Sequence, residues 1–546
     1  MTQDCKDGRK LIAGRSLRWD EDRARDAYDR GLWVRETLAD ALERAASQTP
    51  ERVLIVDGER RLDCRTLKAQ ATALAQSMLA RAPAGGVVSF MLPNWHEAAV
   101  IYLAATLAGM VAHPILPSLR DRDLAFALQD ADSCLIFIPS EFRQTDYAAM
   151  LSRVVAQMSS RPEVVVVRGE PGSHTAYEAL LAGDPAQALP ALEPDATRMM
   201  LYTSGTTGQP KGVMHSHNSL HALVRQLGRH WMVEPGDVFL VPSPISHIGG
   251  SIYAFETPLL LGATAVLMDR WNAEDAIRLA AAERWTHMAG ATPFLEQLLA
   301  AARQAGERLP HLKVFICGGA SVPPSLIREA AAYFERAVVT RVYGSTEVPV
   351  TTVGSLGRGD EDGAAETDGR PGVAEIKLAE HPASPPGEGE ICARGPQMLV
   401  GYLHAEDEAG AFDEDGYFRT GDLGRWDRGD HLVVTGRAKD IIIRMGENIA
   451  PKEVEDILIH HPAIAEIAIV GLPDPRTGER ACAVIVPADA QGPTLADLRD
   501  YLEAQGLAKF KIPEQIVLKD SLPRNDAGKV LKDRLRAAIA ADSEKV

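Results

Sequence analysis

The sequence predicts an α/β fold class in three parts: a large N-terminal domain of α/β subdomains, a small β-rich subdomain, and a small C-terminal α+β domain. Three observations lead there. Short β-rich runs at 53–56, 87–91, 134–138, 164–167, 199–203, 238–241, 263–268, 285–288, 314–317 and 338–342 are mostly separated by helical patterns such as 273–283, 293–303 and 323–334. Composition then shifts at 357–372, rich in Gly, Asp and Glu, and at 381–389, rich in Pro and Gly, which read as loops flanking the β-rich subdomain. A second alternation starts near Asp440, with strands at 441–443, 464–470 and 483–486 and helices at 451–460 and 495–505. It has the size of a separate domain. Parallel sheets with helical crossovers gather ligands beyond the C-terminal ends of their strands.

In chain order, residues 1 to about 30 are charge-dense and read as an extension or surface arm, with no apolar stretch of a secretory signal. Regular structure is expected to begin at Glu36, from which the spacing of Leu38, Leu42 and Ala45 predicts a helix stopped near Thr49-Pro50. The apolar stretch 98–112 is too short to span a membrane and is bounded by Glu97 and His113-Pro114, so it reads as a buried helix. The length of 546 residues, 46% hydrophobic and 24% charged, describes an ordinary soluble protein of several domains. A net charge of −17 excludes a general nucleic-acid binder, which needs a basic face, so an anionic ligand must be held by local groups. The six cysteines form no C-x-x-C pair and suggest neither zinc nor disulfides, so a reducing cytoplasm is the expected location.

Chemistry concentrates in Leu201-Tyr-Thr-Ser-Gly-Thr-Thr-Gly-Gln-Pro-Lys-Gly-Val213. Gly205, Gly208 and Gly212 allow positive φ and close approach, Thr203, Ser204, Thr206 and Thr207 offer hydroxyls, and Lys211 adds a mobile charge. It reads as a phosphate cradle. A Walker loop is excluded, because Pro210 precedes Lys211 and Gly212 follows it. A polar loop between strand and helix explains some of these residues but not their density beside a lysine.

Other positions leave alternatives open when read alone. Glu347, in a glycine-containing turn after an apolar strand, suits Mg²⁺ against phosphate oxygens, or a cap or solvated surface. Asp422 after Thr420-Gly421 suits ribose hydroxyls or an Asx turn. Gly318-Gly319-Ala320 permits close approach to a flat ligand, or simply turns a strand into a helix. His247 suits a pocket wall or a hydrogen-bonded structural site. Lys529 in a polar loop, Lys439 in a linker, and the pair Lys509 and Lys511 are all compatible with plain solvation.

Six clusters in order resolve these alternatives as a set. With the stretch above, Pro244-Ile-Ser-His-Ile-Gly-Gly250, Tyr343-Gly-Ser-Thr-Glu347, Gly416-Tyr-Phe-Arg-Thr-Gly-Asp422, Gly436-Arg-Ala-Lys-Asp440 and Pro523-Arg-Asn-Asp-Ala-Gly-Lys529 resemble the motifs of the adenylate-forming superfamily. That superfamily comprises acyl-CoA synthetases, luciferases and peptide-synthetase adenylation domains, and the resemblance runs from about Glu36 to Leu535. It implies an N-terminal domain over 1–436, a hinge at 437–440 that includes Lys439, and a mobile C-terminal domain over 441–546.

The resemblance also implies the site. Thr203, Ser204, Gly205, Thr206, Thr207, Gly208 and Lys211 would grip the phosphates of ATP. Gly318, Gly319 and Ala320 would wall its adenine, Tyr343, Gly344, Ser345 and Thr346 would also bind the nucleotide, and Asp422 with Arg437 would hold its ribose. Glu347 would hold Mg²⁺, and Lys529 would bridge the attacking carboxylate and the α-phosphate. His247, Ile248, Gly249 and Gly318 would surround the acyl group. Gly446, Glu447 and Asn448 would line a pantetheine tunnel, with Lys509 and Lys511 at the phosphates of coenzyme A. Met445 stands where relatives more often carry glycine.

The implied function is an ATP-dependent acid–CoA ligase with partners limited to a small carboxylic acid, ATP and CoA. Ile248, in place of the asparagine common in hydroxybenzoate-activating relatives, and Met288-Ala-Gly-Ala-Thr-Pro-Phe294, like that of medium-chain and alicyclic ligases, point to an apolar acid of moderate size. Two alternatives stay open: an enzyme loading a carrier protein, and an inactive nucleotide-binding relative. No carrier domain follows Val546, so a carrier is expected on a separate chain. A homodimer is compatible with the sequence but not required by it.

Overall fold

A computed structural model describes residues 8–183, 187–204, 209–319, 322–357, 359–382, 384, 386–445, 447–489, 492–525 and 528–543. Two large sheets carry most of the chain. The first runs Thr175–Ala176, Glu163–Val167, Ser133–Pro139, Val87–Phe90, Val111–Pro114, Thr197–Ser204, Pro210–Ser216 and Gly401–Tyr402. The second runs Val338–Val342, Val314–Gly318, His287–Gly290, Val238–Val241, Thr264–Leu267, Val53–Asp57 and Arg60–Asp63. Adjacent strands are parallel from Thr175–Ala176 to Thr197–Ser204 and from Val338–Val342 to Val53–Asp57. Their C-terminal ends therefore point one way within each sheet.

The apolar stretch around 98–112 is indeed buried, as the helix His96–Leu107 followed by the strand Val111–Pro114. Every residue from Glu97 to Thr106 is buried. A helix apolar on all sides has no solvent face to offer, and this one joins residues of both sheets in one core.

The N-terminal segment corrects the expectation of a surface arm. Arg9–Ile12 and Arg15–Arg18 form a hairpin, and Asp20 caps the helix Glu21–Asp29 by accepting from the backbone of Asp22 and Arg23. Leu17 is 1% exposed, the Arg18 backbone donates to Val400 O at 2.8 Å, and the Tyr28 hydroxyl reaches Asp195 at 2.9 Å. Among the described residues, regular structure begins at Arg9. The charges lie on the outer faces and hid a sparse apolar inner face.

Further differences are local. The expected strand at 285–288 sits two residues later, as His287–Gly290, because Trp285 is buried as a loop residue donating to Ala276 O at 3.0 Å. The segment after the phosphate loop is a strand, Pro210–Ser216, and only then the helix His217–His230. The stretch at 357–372 contains a short helix, Glu361–Glu366, and 381–389 lies inside the small subdomain rather than at its edge. That subdomain is an antiparallel sheet of Glu375–Ala379, Gly389–Arg394, Phe418–Asp427 and His431–Arg437.

After the 3-10 turn Ala438–Asp440 the chain enters a last sheet of Glu447–Ile449, Ile442–Arg444, Gly478–Pro487, Ile464–Asp474 and Gln515–Leu518. Helices Pro451–Leu458 and Leu495–Ala504 close a separate core around Val454, Leu498 and Ile485. The described cysteines are all free, and no helix among the described residues is long and apolar enough to cross a membrane.

Because Leu17 anchors the N-terminal hairpin, Leu17→Ala should cost about 2–4 kcal/mol, as other buried leucine truncations do. Scanning calorimetry should show a lower unfolding midpoint for the large domain. An unchanged midpoint would mean the segment is a dispensable arm.

Candidate active site

The chemistry-bearing residues gather where strand ends of both large sheets meet the small subdomain and the last domain. Thr197–Ser204 and Pro210–Ser216 form an antiparallel hairpin with Thr203 paired to Lys211 in register. The sequence stretch is thus the tip of a hairpin, not a strand-to-helix turn. Its residues Gly205, Thr206, Thr207 and Gly208 lie outside the described residues, as does the Ser204 side chain. Lys211 Nζ lies 3.0 Å from Asp407 O and 3.5 Å from Asp407 Oδ1, with the Tyr402 ring 5.2 Å away.

Across from the hairpin, the strand Val338–Val342 delivers Tyr343 to Glu347 in a tight turn. Gly344 is required there, since a Cβ would stand 2.5 Å from Val350 N. Ser345 Oγ accepts from Val348 N at 3.1 Å, and Thr346 O accepts from His215 Nε2 at 2.8 Å. Burial pushes His215 down to about 4, which keeps its ring neutral. These bonds fix Glu347, whose Oε1 lies 3.1 Å from the Tyr402 hydroxyl and 3.5 Å from Thr203 Oγ1. Burial and the neighbouring Glu347 carboxylate raise the Tyr402 pKa, so its hydroxyl stays a donor. Glu347 forms no ion pair among the described residues, and the surrounding donor set is all oxygen. Such a half-buried carboxylate fits a magnesium ion.

Asp422 and Arg437 face each other in register on the strands Phe418–Asp427 and His431–Arg437, with Arg437 Nε 2.8 Å from Asp422 Oδ1. The Tyr343 hydroxyl donates to Asp422 Oδ2 at 2.8 Å. The local turn is made by Thr420, whose Oγ1 accepts from Asp422 N at 3.1 Å. The carboxylate of Asp422 is thereby free to face the site, which disposes of the Asx-turn alternative.

Lys529 comes from the last domain. Its backbone N–H donates to Asn525 Oδ1 at 2.8 Å, and Asn525 N donates to Lys529 O at 2.9 Å, so the loop is held internally. Gly528 adopts φ +82, and a Cβ there would lie 3.5 Å from Ala291 Cβ and 3.8 Å from Pro293, at the start of the helix Thr292–Ala305. The loop is therefore docked on the large domain. Burial lowers the Lys529 ammonium to about 8, helped by the charges of Arg437 and Lys439 and opposed by Asp422 and Asp440.

The remaining wall follows the strand Val238–Val241. His247 precedes the short helix Ile248–Ser251, which continues as the π-helix Ile252–Glu256. An added Cβ at Gly249 meets open space, whereas at Gly250 it would stand 2.1 Å from Pro244 O. One glycine leaves room; the other lets the turn close. Gly318 ends its strand within 2.9 Å of Val342 O by the same measure, and Gly319 adopts φ +82. Ala320 lies outside the described residues.

The residues expected at CoA stand apart from this assembly. Lys511 is neutralised by Glu453 at 2.7 Å, and Lys509 lies 3.8 Å from Glu503. Asn448 Nδ2 contacts Pro382 O at 3.5 Å, and Glu447 is exposed on the strand Glu447–Ile449. Gly446 lies outside the described residues, and Met445 is 70% exposed at φ +51, a conformation that suits glycine better. Lys439 reaches Asp533 at 3.8 Å.

Two participants escaped the sequence reading. Tyr402 reaches Glu347 only because Gly401–Tyr402 joins the edge of the hairpin's sheet. Asn94, buried, donates to Val241 O at 3.0 Å and Ser243 O at 2.9 Å while accepting from Ile245 N at 3.1 Å, and so holds the loop leading to His247. Its only sequence signal is a polar residue between Pro93 and Trp95 after an apolar strand.

The family model of the AMP-binding enzyme matches residues 42–403, and that of the AMP-binding enzyme C-terminal domain matches 453–529. The chain is 35% identical over 539 residues to the medium-chain fatty-acid–CoA ligase of Escherichia coli (strain K12), covering 96% of this chain and 94% of that protein. It is 30% identical over 538 residues to the 2,3-dihydroxybenzoate–AMP ligase of Bacillus subtilis (strain 168), covering 96% and 97%. Among solved structures, ATP-bound MatB from Rhodopseudomonas palustris superposes with a TM-score of 0.81 at 28% identity, covering 92% of this chain and 98% of that one.

The reactivity of Lys529 reports the docking. Only a neutral amine is acylated, so modification by a small amine-directed reagent, read by peptide mass, should rise through a midpoint at about pH 8. Asp422→Asn removes a carboxylate that favours the ammonium and should move the midpoint lower. A midpoint near the ordinary 10.5 would show that the loop is not docked in solution.

Proposed function

The chain belongs to the AMP-binding enzyme family, and from that premise we propose that it is an ATP-dependent carboxylic acid–CoA ligase acting on an apolar acid of medium chain length or alicyclic form. The medium-chain fatty-acid–CoA ligase among its relatives and the residue Ile248 beside His247 support the choice of acid. What supports the reaction most is the Lys529 loop, seated on Ala291 and Pro293 within electrostatic reach of Asp422 and Arg437.

In the first half-reaction a carboxylate oxygen of the acid attacks the α-phosphorus of ATP. The new O–P bond forms as the bond to the β-phosphate oxygen breaks, and pyrophosphate leaves. Thr203, Lys211 and the hairpin tip at 204–208 hold the departing phosphates. Asp422 and Arg437 hold the ribose, Gly319 and Ala320 take the adenine, and Tyr343, Gly344, Ser345 and Thr346 complete the nucleotide site. Glu347 would hold Mg²⁺, which neutralises phosphate charge when bound. Lys529 spans the attacking carboxylate and the α-phosphate, where negative charge is concentrated in the transition state. No protein nucleophile is needed, since positioning and charge stabilisation suffice.

In the second half-reaction the sulfur of CoA attacks the acyl carbonyl; the C–S bond forms as the C–O bond to the phosphate of AMP breaks, AMP leaves with that oxygen, and the thiol proton is released to solvent. On this reading the docked Lys529 loop serves only the first step, and the domain after 437–440 turns about Lys439 to admit the thiol. That turn brings Met445, Gly446, Glu447 and Asn448, with Lys509 and Lys511, toward the acceptor. A cytoplasmic location is part of this proposal, supported by the need for ATP and CoA as co-substrates.

Wild-type enzyme should release pyrophosphate from ATP only when an acid is present, and AMP turnover with free CoA should exceed that with a carrier protein. Lys529→Ala should lower acyl-AMP formation by roughly 10²-fold or more, the scale of losing one transition-state charge contact, yet largely spare thioester formation from supplied acyl-AMP. Equal loss in both half-reactions would remove Lys529 from the first step. Lys439→Pro, which locks a hinge dihedral, should preserve adenylation and impair thioester formation; unchanged CoA turnover would contradict the hinge.

A further inference from the structure

We propose that the buried Arg198 to Glu256 ion pair is a positioning element that sets the acid pocket against the phosphate-gripping hairpin and so determines acid selectivity. The proposal rests on the adenylation reading above. Arg198 Nη2 lies 3.0 Å from Glu256 Oε2, with side-chain exposures of 2% and 0%. The Tyr102 hydroxyl donates to the other carboxylate oxygen, and its ring stacks on Phe255 at 4.6 Å.

Both partners sit on backbone irregularities. In the hairpin, Thr197 pairs with Ser216 and Met199 with His215, so Arg198 is the extra residue of a β-bulge. Bulges re-aim side chains, and this one turns Arg198 into the core. Glu256 closes the π-helix Ile252–Glu256, a widened turn of the kind found often at functional sites. Ser251 Oγ, whose hydrogen is directed to Ile248 O at 3.1 Å, also lies 3.6 Å from Met199 Sδ, so helix and strand touch at a second point.

Stability alone does not account for the pair. Desolvating two charges offsets their attraction, and an apolar pair of similar volume is often as stable or more so. Arg198 Nε and Nη1 find no hydrogen-bond partner among the described residues, so the geometry is not the best that a buried guanidinium can have. The arginine charge also helps burial hold His215 and His221 down to about 4. What the arrangement does provide is a directional link between two parts of the site. Five residues beyond Arg198 on its strand is Thr203, beside Glu347; six to nine residues before Glu256 on its helix are His247, Ile248, Gly249 and Gly250. The strand is fixed within its sheet, so loss of the link moves the helix and the pocket wall it carries.

The test is Arg198→Met/Glu256→Leu, an apolar replacement, compared with wild type in acid-dependent ATP–pyrophosphate exchange over a series from butanoate to dodecanoate. The expected result is a thermal midpoint near that of wild type, a KM for the preferred acid raised at least fivefold, a KM for ATP changed less than twofold, and a shifted chain-length optimum. Wild-type acid KM and optimum in the double variant would overturn the proposal, as would a parallel fall in every parameter with a lowered midpoint. Should the double variant not fold, Tyr102→Phe, which keeps the ring on Phe255 but frees one Glu256 oxygen, decides: a shifted optimum supports the proposal and an unshifted one overturns it. Failure of wild type to exchange pyrophosphate with any acid would count against the adenylation reading instead.

Discussion

An ammonium group withdrawn from water and set beside a guanidinium is unfavourable unless an anion joins them, and the site depends on that constraint. Lys529 lies within electrostatic reach of Arg437 and of two carboxylates, Asp422, already engaged by Arg437 and by Tyr343, and Asp440, already paired with Arg536. Both counter-charges are therefore shared with an arginine. An anionic ligand between Lys529 and Arg437 would restore the balance. Desolvation, which lowers the lysine to about 8, marks how far its ammonium has been withdrawn from water at this seat on Ala291 and Pro293.

The rest of the architecture serves to hold the opposing groups at fixed separations. Parallel strands bring the hairpin, Gly318 and Tyr343 to the same end of their sheets, and an antiparallel sheet puts Asp422 and Arg437 in one register pair. Glycines are placed where backbone must approach backbone, at Gly250 against Pro244 and at Gly344 against Val350. Any side chain there would push apart segments that carry functional groups. Met445 is the converse case: a bulky residue held at φ +51, where the left-handed conformation costs roughly 1–2 kcal/mol.

Much of this was legible in the sequence because its signals were local. Alternating strand and helix patterns identified the α/β class, and the clusters ending in Glu347, Asp422 and Lys529 marked positions that the fold brings to one site. What stayed hidden depended on partners distant in the chain. The N-terminal hairpin was masked because Ile12 and Leu17 are isolated among charges and become an apolar face only when paired. The strand Pro210–Ser216 begins with Pro, Lys and Gly, residues that argue for a loop until the register with Thr197–Ser204 is known. Tyr402 and Asn94 reach the site from 55 and 147 residues or more along the chain from the groups they bond, and nothing in their neighbours announces it.

Arg198 and Glu256 are likewise distant, 58 residues apart in the chain, and here the irregular backbone is the informative part. A bulge and a π-turn each interrupt a regular ladder and re-aim the side chain at that point. Meeting in one buried ion pair, the two irregularities give a single specified orientation. A well-packed apolar core tolerates small shifts of one element past another, because its contacts carry little direction. A charged pair with one short hydrogen-bonding geometry does not. In a site where an acid carboxylate must lie in line with a phosphorus atom, a shift of an ångström is enough to separate reactive from unreactive complexes, so direction matters more here than the stability that an apolar pair would provide.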